Sequence, residues 1–306
     1  MNPATRATAL AIAAAFAAIY LIWGTTFLAN ALMIRALPPL LGSGLRFLLA
    51  GLLLYGWLRL RAPRPLQGLP WPRMLVCGVL FFTGGNGLLV WSQQGVPSGI
   101  AALVTAGIPL VVLLLDWALF ARRAPAARRA LGIVIGLCGV AVAMAQTPAN
   151  TGGVPGWRVL ALAASVVCWS AGTLVYAAAR LPVSRALPAA CAQMLLGGAL
   201  LLGLGTLCGE WRLFAPASVN MGSWLALAYL VIVGSIVAMG CYLWLLAHVS
   251  AQQVATYALV NPLVAVVLGA WVLHETLSGA IGAALLLVLA GVALVLWTPG
   301  VRAADG

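Results

Sequence analysis

Long apolar stretches, separated by short clusters of charged, proline and glycine residues, constrain this chain more than any single motif. A helix needs roughly 20 apolar residues to cross a hydrocarbon core about 30 Å thick. Lipid cannot satisfy backbone N–H and C=O groups, and the stretches lack the period-two alternation of a barrel. The sequence therefore predicts an all-α polytopic membrane protein with ten transmembrane helices. The stretches run near 8–30, 40–58, 74–93, 99–120, 130–146, 158–179, 187–207, 223–246, 252–273 and 279–297.

The charge distribution favours one orientation in the bilayer. Hydrophobic residues make up 64% of the 306 residues and charged residues only 7%, too few to cover a soluble domain of this length. The net charge of +12 comes from arginine, which in a soluble protein would suggest nucleic-acid binding. Twelve of the 16 arginines instead fall on one side of the membrane if the N-terminus is inside. This bias predicts a bacterial inner membrane protein with both termini cytoplasmic and no nucleic-acid partner.

Weak self-similarity divides the chain into two halves. We predict repeats over 1–148 and 155–306, separated by a polar loop that contains glycine and proline. Five helices is an odd number, so the second repeat must insert upside down relative to the first. Inverted repeats with a site near the midplane are typical of transporters. The matching segments are Trp23-Gly24-Thr25-Thr26 with Trp169-Ser170-Ala171-Gly172-Thr173, Ile108-Pro109-Leu110-Val111 with Asn261-Pro262-Leu263-Val264, and Gly139-Val140-Ala141-Val142 with Gly291-Val292-Ala293-Leu294.

At these residues the chain resembles the EamA branch of the drug/metabolite transporter superfamily. The resemblance covers nearly the whole chain, and it implies two five-helix repeats and export of small metabolites. Within the family the chain is similar to bacterial exporters of aromatic amino acids (YddG-like). One departure is that the second half has Gln193, or a neighbour, where the first half has Arg46. The residues that carry the resemblance are Trp23-Gly24-Thr25-Thr26-Phe27, Pro38-Pro39, Arg46-Phe47, Asn261-Pro262-Leu263-Val264-Ala265, Glu275, Ser278 and Gly291-Val292.

Polar and aromatic residues inside the spans predict where a substrate binds. Neutral polar groups at membrane depth avoid lipid, and they either form helix–helix hydrogen bonds or face a cavity. Mixed with aromatic rings, they suit a neutral or zwitterionic ligand with an apolar side chain. Following the family's arrangement, we expect a central cavity walled by spans one, three, four, six, eight and nine. The predicted substrate-binding residues are Trp23, Thr26, Asn86, Trp91, Thr105, Trp169, Thr173, Tyr176, Ser235, Tyr257 and Asn261.

The predicted hinge or gate residues are Pro109, Pro262, Arg46, Asp116 and Glu275. Each proline removes one backbone hydrogen bond mid-span, and matched helix breaks mark transporter sites. Asp116 is an intramembrane carboxylate with either a functional or an anchoring role. Arg46 either snorkels outward or binds backbone carbonyls near Glu275, or it gates the cavity or binds a substrate carboxylate. Glu275 either caps span ten or acts as an outer gate.

The sequence offers little for ion coupling, metal binding or catalysis. The six cysteines form no CxxC pair, and the two histidines lie at span ends, so we expect no cofactor and no metal. We therefore favour facilitated export of amino acids, including aromatic ones, by alternating access. The alternatives are an intramembrane enzyme, for which Gly42-Ser43-Gly44 has no matching histidine, and a scaffold that does not transport. Spans five and ten are rich in glycine, so we expect them at the periphery, as a candidate homodimer contact.

Overall fold

A computed structural model describes residues 3–121, 126–145, 156–214, 220–275 and 278–296. In these residues the chain is helical and contains no strand, which confirms the predicted all-α fold. The predicted features that lie outside them are Arg122, Arg123, Arg302, Asp305, Thr276, Trp297 and most of the loop between the halves.

Ten longer helices follow one another in the described part of the chain. Eight of them, α1 to α8, contain stretches long and apolar enough to cross a membrane, while Val260–Leu273 in α9 and Gly279–Val295 in α10 are shorter apolar helices. The chain is thus a multi-pass membrane protein. The bounds are α1 Pro3–Met33, α2 Pro39–Arg59, α3 Trp71–Ser92, α4 Ser98–Leu119, α5 Ala127–Ala145, α6 Gly156–Ala177, α7 Val183–Leu207, α8 Met221–Leu246, α9 Tyr257–Leu273 and α10 Gly279–Leu296.

Prolines set the start of α2 and of α4. Both helices begin at the end of the bundle where α1 stops, which we call the predicted outer end. Pro38 has extended backbone with ψ 139°, and Pro39 takes the first helical position of α2. Proline fits there because the first N–H groups of a helix have no intrahelical partner. Pro97 has the same conformation before Ser98, so α4 also begins at this end.

The contacts between helices come in matched sets when each helix of the first half is exchanged with its counterpart in the second. Helix α1 packs on α8 and α9, and α6 packs correspondingly on α3 and α4. Likewise α2 contacts α8, and α7 contacts α3. The two counterpart pairs α2–α7 and α5–α10 form the most extensive contacts in the described chain. This arrangement is what two copies of one structural unit produce when they pack face to face.

Close packing of α2 on α7 depends on glycine. A Cβ atom added to Gly44 would lie 2.7 Å from the backbone nitrogen of Leu202, and one added to Gly198 would lie 2.7 Å from that of Leu48. Such contacts are too short for any side chain, so the two backbones meet directly. The position of Arg46, between these contacts along α2, is fixed by this rigid pair.

The glycine stripes of α5 and α10 face each other. A Cβ atom added to Gly132 would lie 2.7 Å from the carbonyl oxygen of Gly291, and one added to Gly139 would lie 2.7 Å from the backbone nitrogen of Val288. These glycines are therefore used in contacts within the chain, and a homodimer contact of α5 and α10 stays a prediction. No described residue of α5 or α10 lines the cavity that is described below.

Three helices depart from regular α-helical geometry where the chain approaches its centre. Val79–Gly87 in α3 and Leu230–Val237 in α8 are π-helical, and these two helices are repeat counterparts. Helix α4 is interrupted between Thr105 and Ile108, just before Pro109. Short π-helical segments are frequent at functional sites because they free backbone groups and re-aim side chains. Pro262, in contrast, lies inside the continuous helix α9.

Candidate substrate cavity

A cavity lies at the centre of the bundle, enclosed by both halves. All six helices that were predicted to wall it contribute residues, and α2 contributes as well. Its volume of about 70 Å³ is small beside the roughly 300–1,000 Å³ of sites that hold small molecules. The cavity in this structure is therefore smaller than sites that hold small molecules. The lining residues are Trp23, Thr26, Phe27, Arg46, Phe47, Phe82, Gly85, Asn86, Leu89, Thr105, Ile108, Ser165, Val166, Trp169, Gly234, Ser235, Met239, Tyr257 and Asn261.

Helical spacing and the π-helical segments explain which residues reach the cavity. Trp23, Thr26 and Phe27 follow one another at positions i, i+3 and i+4, which places them on one face of α1. The π-helical segment of α3 supplies Phe82, Gly85 and Asn86, and that of α8 supplies Gly234 and Ser235. Because the two segments are repeat counterparts, the halves contribute equivalent walls.

Four aromatic rings from four helices pack at one side of the cavity. Trp23 meets Trp169, its repeat counterpart, edge to face with ring centroids 5.4 Å apart. Tyr242 and Tyr257 lie 5.0 Å and 4.9 Å from Trp23. Such tilted pairs contribute about 0.5–1.5 kcal/mol each beyond the area they bury. The cluster gives the cavity a rigid, apolar surface that suits an aromatic or aliphatic side chain.

Arg46 is the one cationic side chain among the described residues of the cavity wall, and it is only 3% exposed. Its Nε donates to the Ser235 hydroxyl at 2.9 Å, Nη1 to Asn30 Oδ1 at 3.1 Å, and Nη2 to the carbonyl of Gly234 at 3.3 Å. The guanidinium also lies over the Phe47 ring, 4.6 Å from its centroid. The predicted carbonyl contact is therefore present, whereas outward snorkelling and proximity to Glu275 are wrong. A guanidinium has five N–H donors, so donors remain after these three bonds.

No carboxylate of the described residues faces this guanidinium across the cavity. The sequence has four acids, of which Asp116, Glu210 and Glu275 are described, and none of these three lines the cavity. A charge buried at membrane depth without a counter-ion is costly, by several kcal/mol in proteins generally. No negative charge among the described residues therefore offsets that of the Arg46 guanidinium in the cavity wall.

Neutral polar groups line the rest of the cavity. The Oδ1 atom of Asn86 is buried and has no hydrogen-bond partner in the described residues. Thr26 and Thr105 donate to carbonyls of their own helices, those of Trp23 at 2.7 Å and Ala102 at 2.8 Å. Asn261 can donate to the carbonyls of Tyr257 and Tyr20 in the amide orientation that satisfies both its atoms. Asn86 therefore holds an unpaired acceptor in the cavity wall, which also contains an unpaired donor, the indole N–H of Trp169.

Three of the predicted substrate-binding residues lie outside the cavity. Trp91 stacks instead on Trp157, with ring centroids 4.2 Å apart. The Thr173 hydroxyl bonds to the carbonyl of Trp169 at 2.9 Å and to the Tyr242 hydroxyl at 2.6 Å, and so joins two helices. Tyr176 is buried in the packed core. For these residues the helix–helix interpretation of a polar or aromatic group inside a span is the correct one.

Among the predicted gate residues, Pro109, Pro262 and Asp116 do not line the cavity. Pro109 lies within the first two positions of the second part of α4, where it needs no partner for its nitrogen. Asp116 begins a further π-helical segment, Asp116–Ala121, at the opposite end of α4 from Ser98. Any role of these three residues in transport is therefore indirect.

Glu275 caps the start of α4 and does not cap α10. Its Oε1 accepts from the backbone N–H and the hydroxyl of Ser98, both at 2.7 Å, and Oε2 accepts from the N–H of Gly99 at 3.0 Å. The Ser278 hydroxyl accepts from the N–H of Ile281 at the start of α10, so that cap is local. A carboxylate from the second half thus holds the positive end of a helix of the first half.

Glu210 makes an equivalent contact at the start of α2. The residue is buried, and its carboxylate accepts from the N–H groups of Leu41 at 2.9 Å and Leu40 at 3.3 Å. Burial raises the pKa of Glu210, and these backbone hydrogen bonds offset part of the rise. Two second-half carboxylates therefore bind first-half helix starts at the predicted outer end.

Sequence reasoning missed about half of the cavity wall. Phe27 follows Trp23 by four residues, and helical spacing alone would have found it. Gly234 adjoins the predicted Ser235, but the sequence does not show that its carbonyl accepts a hydrogen bond from the Arg46 guanidinium. The other missed residues are Phe47, Phe82, Gly85, Leu89, Ile108, Ser165, Val166 and Met239.

A helical membrane bundle built from two equivalent halves, with a cavity enclosed between them, defines a membrane transporter. The chain belongs to the EamA-like transporter family, whose model matches residues 8–145 and again 156–297. The uncharacterized inner membrane transporter YedA of Escherichia coli (strain K12) is 36% identical over 267 residues, which are 85% of this chain and 82% of YedA. A probable amino-acid metabolite efflux pump of Salmonella typhimurium is 26% identical over 89% of this chain and 90% of its own. One solved crystal structure, 26% identical, covers 93% of this chain and 96% of its own with a TM-score of 0.66.

Proposed function

We propose that the protein exports amino acids, including aromatic ones, across the inner membrane. One observation carries the proposal: a buried arginine with unused donors and no acidic partner among the described residues lies in the wall of an aromatic cavity. The similarity to an amino-acid metabolite efflux pump supports the same substrate class.

The cavity offers a separate partner for each part of such a substrate. The remaining N–H donors of Arg46 would bind the carboxylate, and the unpaired Oδ1 of Asn86 would accept a hydrogen bond from the ammonium. Trp23, Trp169 and Tyr257 would contact the side chain. Hydrogen bonds to charged groups contribute about 1.5–3 kcal/mol each, so this set gives modest affinity, as a carrier that must release its substrate requires.

The transport cycle that fits this fold is alternating access by two inverted five-helix repeats, which cross the membrane ten times. The exchange symmetry of the helix contacts and the twofold family match support this arrangement. The excess of arginine on one side supports an orientation with both termini in the cytoplasm. In this orientation the Glu275 and Glu210 contacts lie on the periplasmic side, and Glu275 serves as an outer gate.

Export would be facilitated, driven by the gradient of the substrate itself. Proton and sodium coupling usually needs an acid or a histidine at the intramembrane site. The three described acids lie away from the cavity, and His248 and His274 are both exposed at helix ends. An intramembrane enzyme is disfavoured because the Ser43 hydroxyl, which a base would have to activate, has no hydrogen-bond partner among the described residues. A cavity with an unpaired cation disfavours a scaffold that binds nothing.

Uptake by liposomes that contain the purified protein tests the proposal. Vesicles preloaded with unlabelled tryptophan should accumulate labelled tryptophan and phenylalanine by exchange, without an imposed proton or sodium gradient. Preloaded liposomes without the protein provide the background. If no amino acid in a panel of twenty exchanges above that background, amino-acid export is wrong. If exchange requires a proton gradient, facilitated transport is wrong and the substrate assignment stands.

A further inference from the structure

The cavity wall carries a charge that attracts the carboxylate of an amino acid, and none of its described residues carries a charge that attracts the ammonium group. A carboxylate would meet the full positive charge of Arg46, together with its remaining N–H donors. An ammonium would meet no negative charge, because none of the three described acids lines the cavity. Its strongest partner among the lining side chains is the neutral oxygen of Asn86.

Desolvation makes this asymmetry important. A charged group that leaves water for a nearly dry cavity loses hydration free energy. A hydrogen bond to a neutral oxygen restores only a small part of this loss. A carboxylate recovers its loss in a charge-assisted pair with a guanidinium, which also relieves the uncompensated charge of Arg46. An ammonium recovers only part of its loss, so it adds little net affinity.

We infer that the cavity selects substrates by the carboxylate and treats the α-ammonium as dispensable. The substrate class is then aromatic and aliphatic monocarboxylates, of which amino acids are one part and their deaminated analogues another. This inference rests on the proposed function, since it concerns the same site and the same direction of transport. Aromatic amines that lack a carboxylate would bring a second cation next to Arg46 and are excluded.

Three compounds that share the indole ring separate these contributions on the unmodified protein. Tryptophan carries both charged groups, 3-(indol-3-yl)propionate only the carboxylate, and tryptamine only the ammonium. Each is used as a competitor of labelled tryptophan exchange and, by isothermal titration, as a direct ligand of the purified protein. We expect the propionate to bind within about threefold of tryptophan, and tryptamine to bind at least about tenfold more weakly.

The outcomes distinguish the inference from the proposed function. If tryptophan is exchanged but the propionate neither competes nor binds, the ammonium is required and the inference is overturned. Competition by tryptamine as strong as that of tryptophan also overturns it. If the propionate binds and is transported whereas no amino acid is, the inference holds and amino-acid export is wrong. Absence of binding by all three compounds overturns the inference, and it removes tryptophan from the substrates of the proposed function.

A pair of variants assigns the effect to the arginine. Arg46→Gln removes the charge from the cavity, and Arg212→Gln removes an exposed arginine outside it. Arg46→Gln should lower the affinity for the propionate at least about tenfold and abolish its advantage over tryptamine, whereas Arg212→Gln should change neither. If folded Arg46→Gln protein keeps the preference for the propionate, another group recognises the carboxylate and the assignment to Arg46 is wrong.

Discussion

The carboxylate of Glu275 holds the first residue of α4, Ser98, through two hydrogen bonds of 2.7 Å, one to the backbone N–H and one to the hydroxyl. A third bond, to the N–H of Gly99, uses the other carboxylate oxygen. Glu275 follows α9, so the contact joins counterpart helices of the two halves. The corresponding position in the second half is the start of the short helix Ala251–Val254, which precedes α9. This start is capped locally, by the side chains of Ser250 and Gln253. Carboxylate bonds between the halves are therefore found at one end of the described bundle.

Replacing Glu275 by Gln should open the predicted outer end more often. The amide loses the charge that favours the helix start, and its single oxygen can keep at most two of the three bonds. These become neutral, at a loss of about 1 kcal/mol per bond, and the NH2 group cannot accept at the other oxygen's position. The measurement is labelling of a cysteine introduced at Thr26, in a chain without its native cysteines, by a thiol reagent that cannot cross membranes. We expect labelling from outside to become several-fold faster.

Glu210→Gln serves as the control for this variant, because Glu210 also caps a helix start but belongs to the tightly packed α2–α7 pair. It should lower the melting temperature and leave labelling at Thr26→Cys unchanged. Equal acceleration by both variants would show that loss of any outer cap loosens the bundle, and Glu275 would then have no specific gating role.

A second substitution tests the same contact without touching the carboxylate. A Cβ atom on Gly269 would lie 2.5 Å from Oε2 of Glu275, so the side chain must leave its position in Gly269→Ala. We expect this variant to reproduce the faster outside labelling of Glu275→Gln. Gly203→Ala is the matched control, because an added Cβ there meets nothing within 4 Å. Unchanged labelling in Gly269→Ala would mean that the carboxylate keeps its hold on Ser98 by another route.

Substitution of Trp169 and of Trp91 should have different effects, although both tryptophans lie inside predicted spans. Trp169 lines the cavity, whereas Trp91 stacks on Trp157 outside it. Trp169→Ala removes ring contacts of about 0.5–1.5 kcal/mol each, so exchange of aromatic substrates should fall roughly tenfold, with less effect on threonine. Trp91→Ala should lower thermal stability and leave the substrate preference intact. If both variants lose aromatic substrates to the same extent, the aromatic wall does not determine specificity.

Helix positions and the repeat could be predicted because both follow from long-range periodicity and composition. Each predicted apolar stretch coincides with a helix, and the match of Trp23 to Trp169 correctly placed both rings in the same cavity. The π-helical segments could not be predicted, since Val79–Gly87 and Leu230–Val237 differ from ordinary apolar helix only in how the backbone bonds. Their exact path decides which face of α3 and α8 meets the cavity.

The partners of polar side chains were the least predictable part of the site. Thr26 and Thr173 follow the matched tryptophans by three and four residues, and Thr26 lines the cavity whereas Thr173 bonds to Tyr242. Whether such a residue lines the cavity or bonds to a neighbouring helix depends on helix rotation by a few tens of degrees. Composition does not encode this rotation. Capping of span ten was one of the two roles predicted for Glu275, because local caps are the usual ones, whereas its partner Ser98 lies 177 residues away in the chain.

Asn86→Asp should make the ammonium group of the substrate contribute to its affinity. Asn86 presents an unpaired oxygen to the cavity, and aspartate replaces this neutral acceptor by a carboxylate of nearly the same shape. The new charge would pair with an ammonium and repel a carboxylate that lacks one. We expect the affinity for 3-(indol-3-yl)propionate to fall at least about tenfold relative to tryptophan, measured by isothermal titration.

The neutral variant Asn86→Ser controls for the loss of the amide, because it keeps a hydroxyl acceptor and adds no charge. It should weaken all three indole compounds by similar factors and leave their order unchanged. The aspartate also neutralises Arg46 in part, so it should raise the affinity for tryptamine, which Asn86→Ser should not do. If Asn86→Asp leaves the order propionate, tryptophan and tryptamine as in the unmodified protein, Asn86 does not face the substrate's ammonium and another acceptor must.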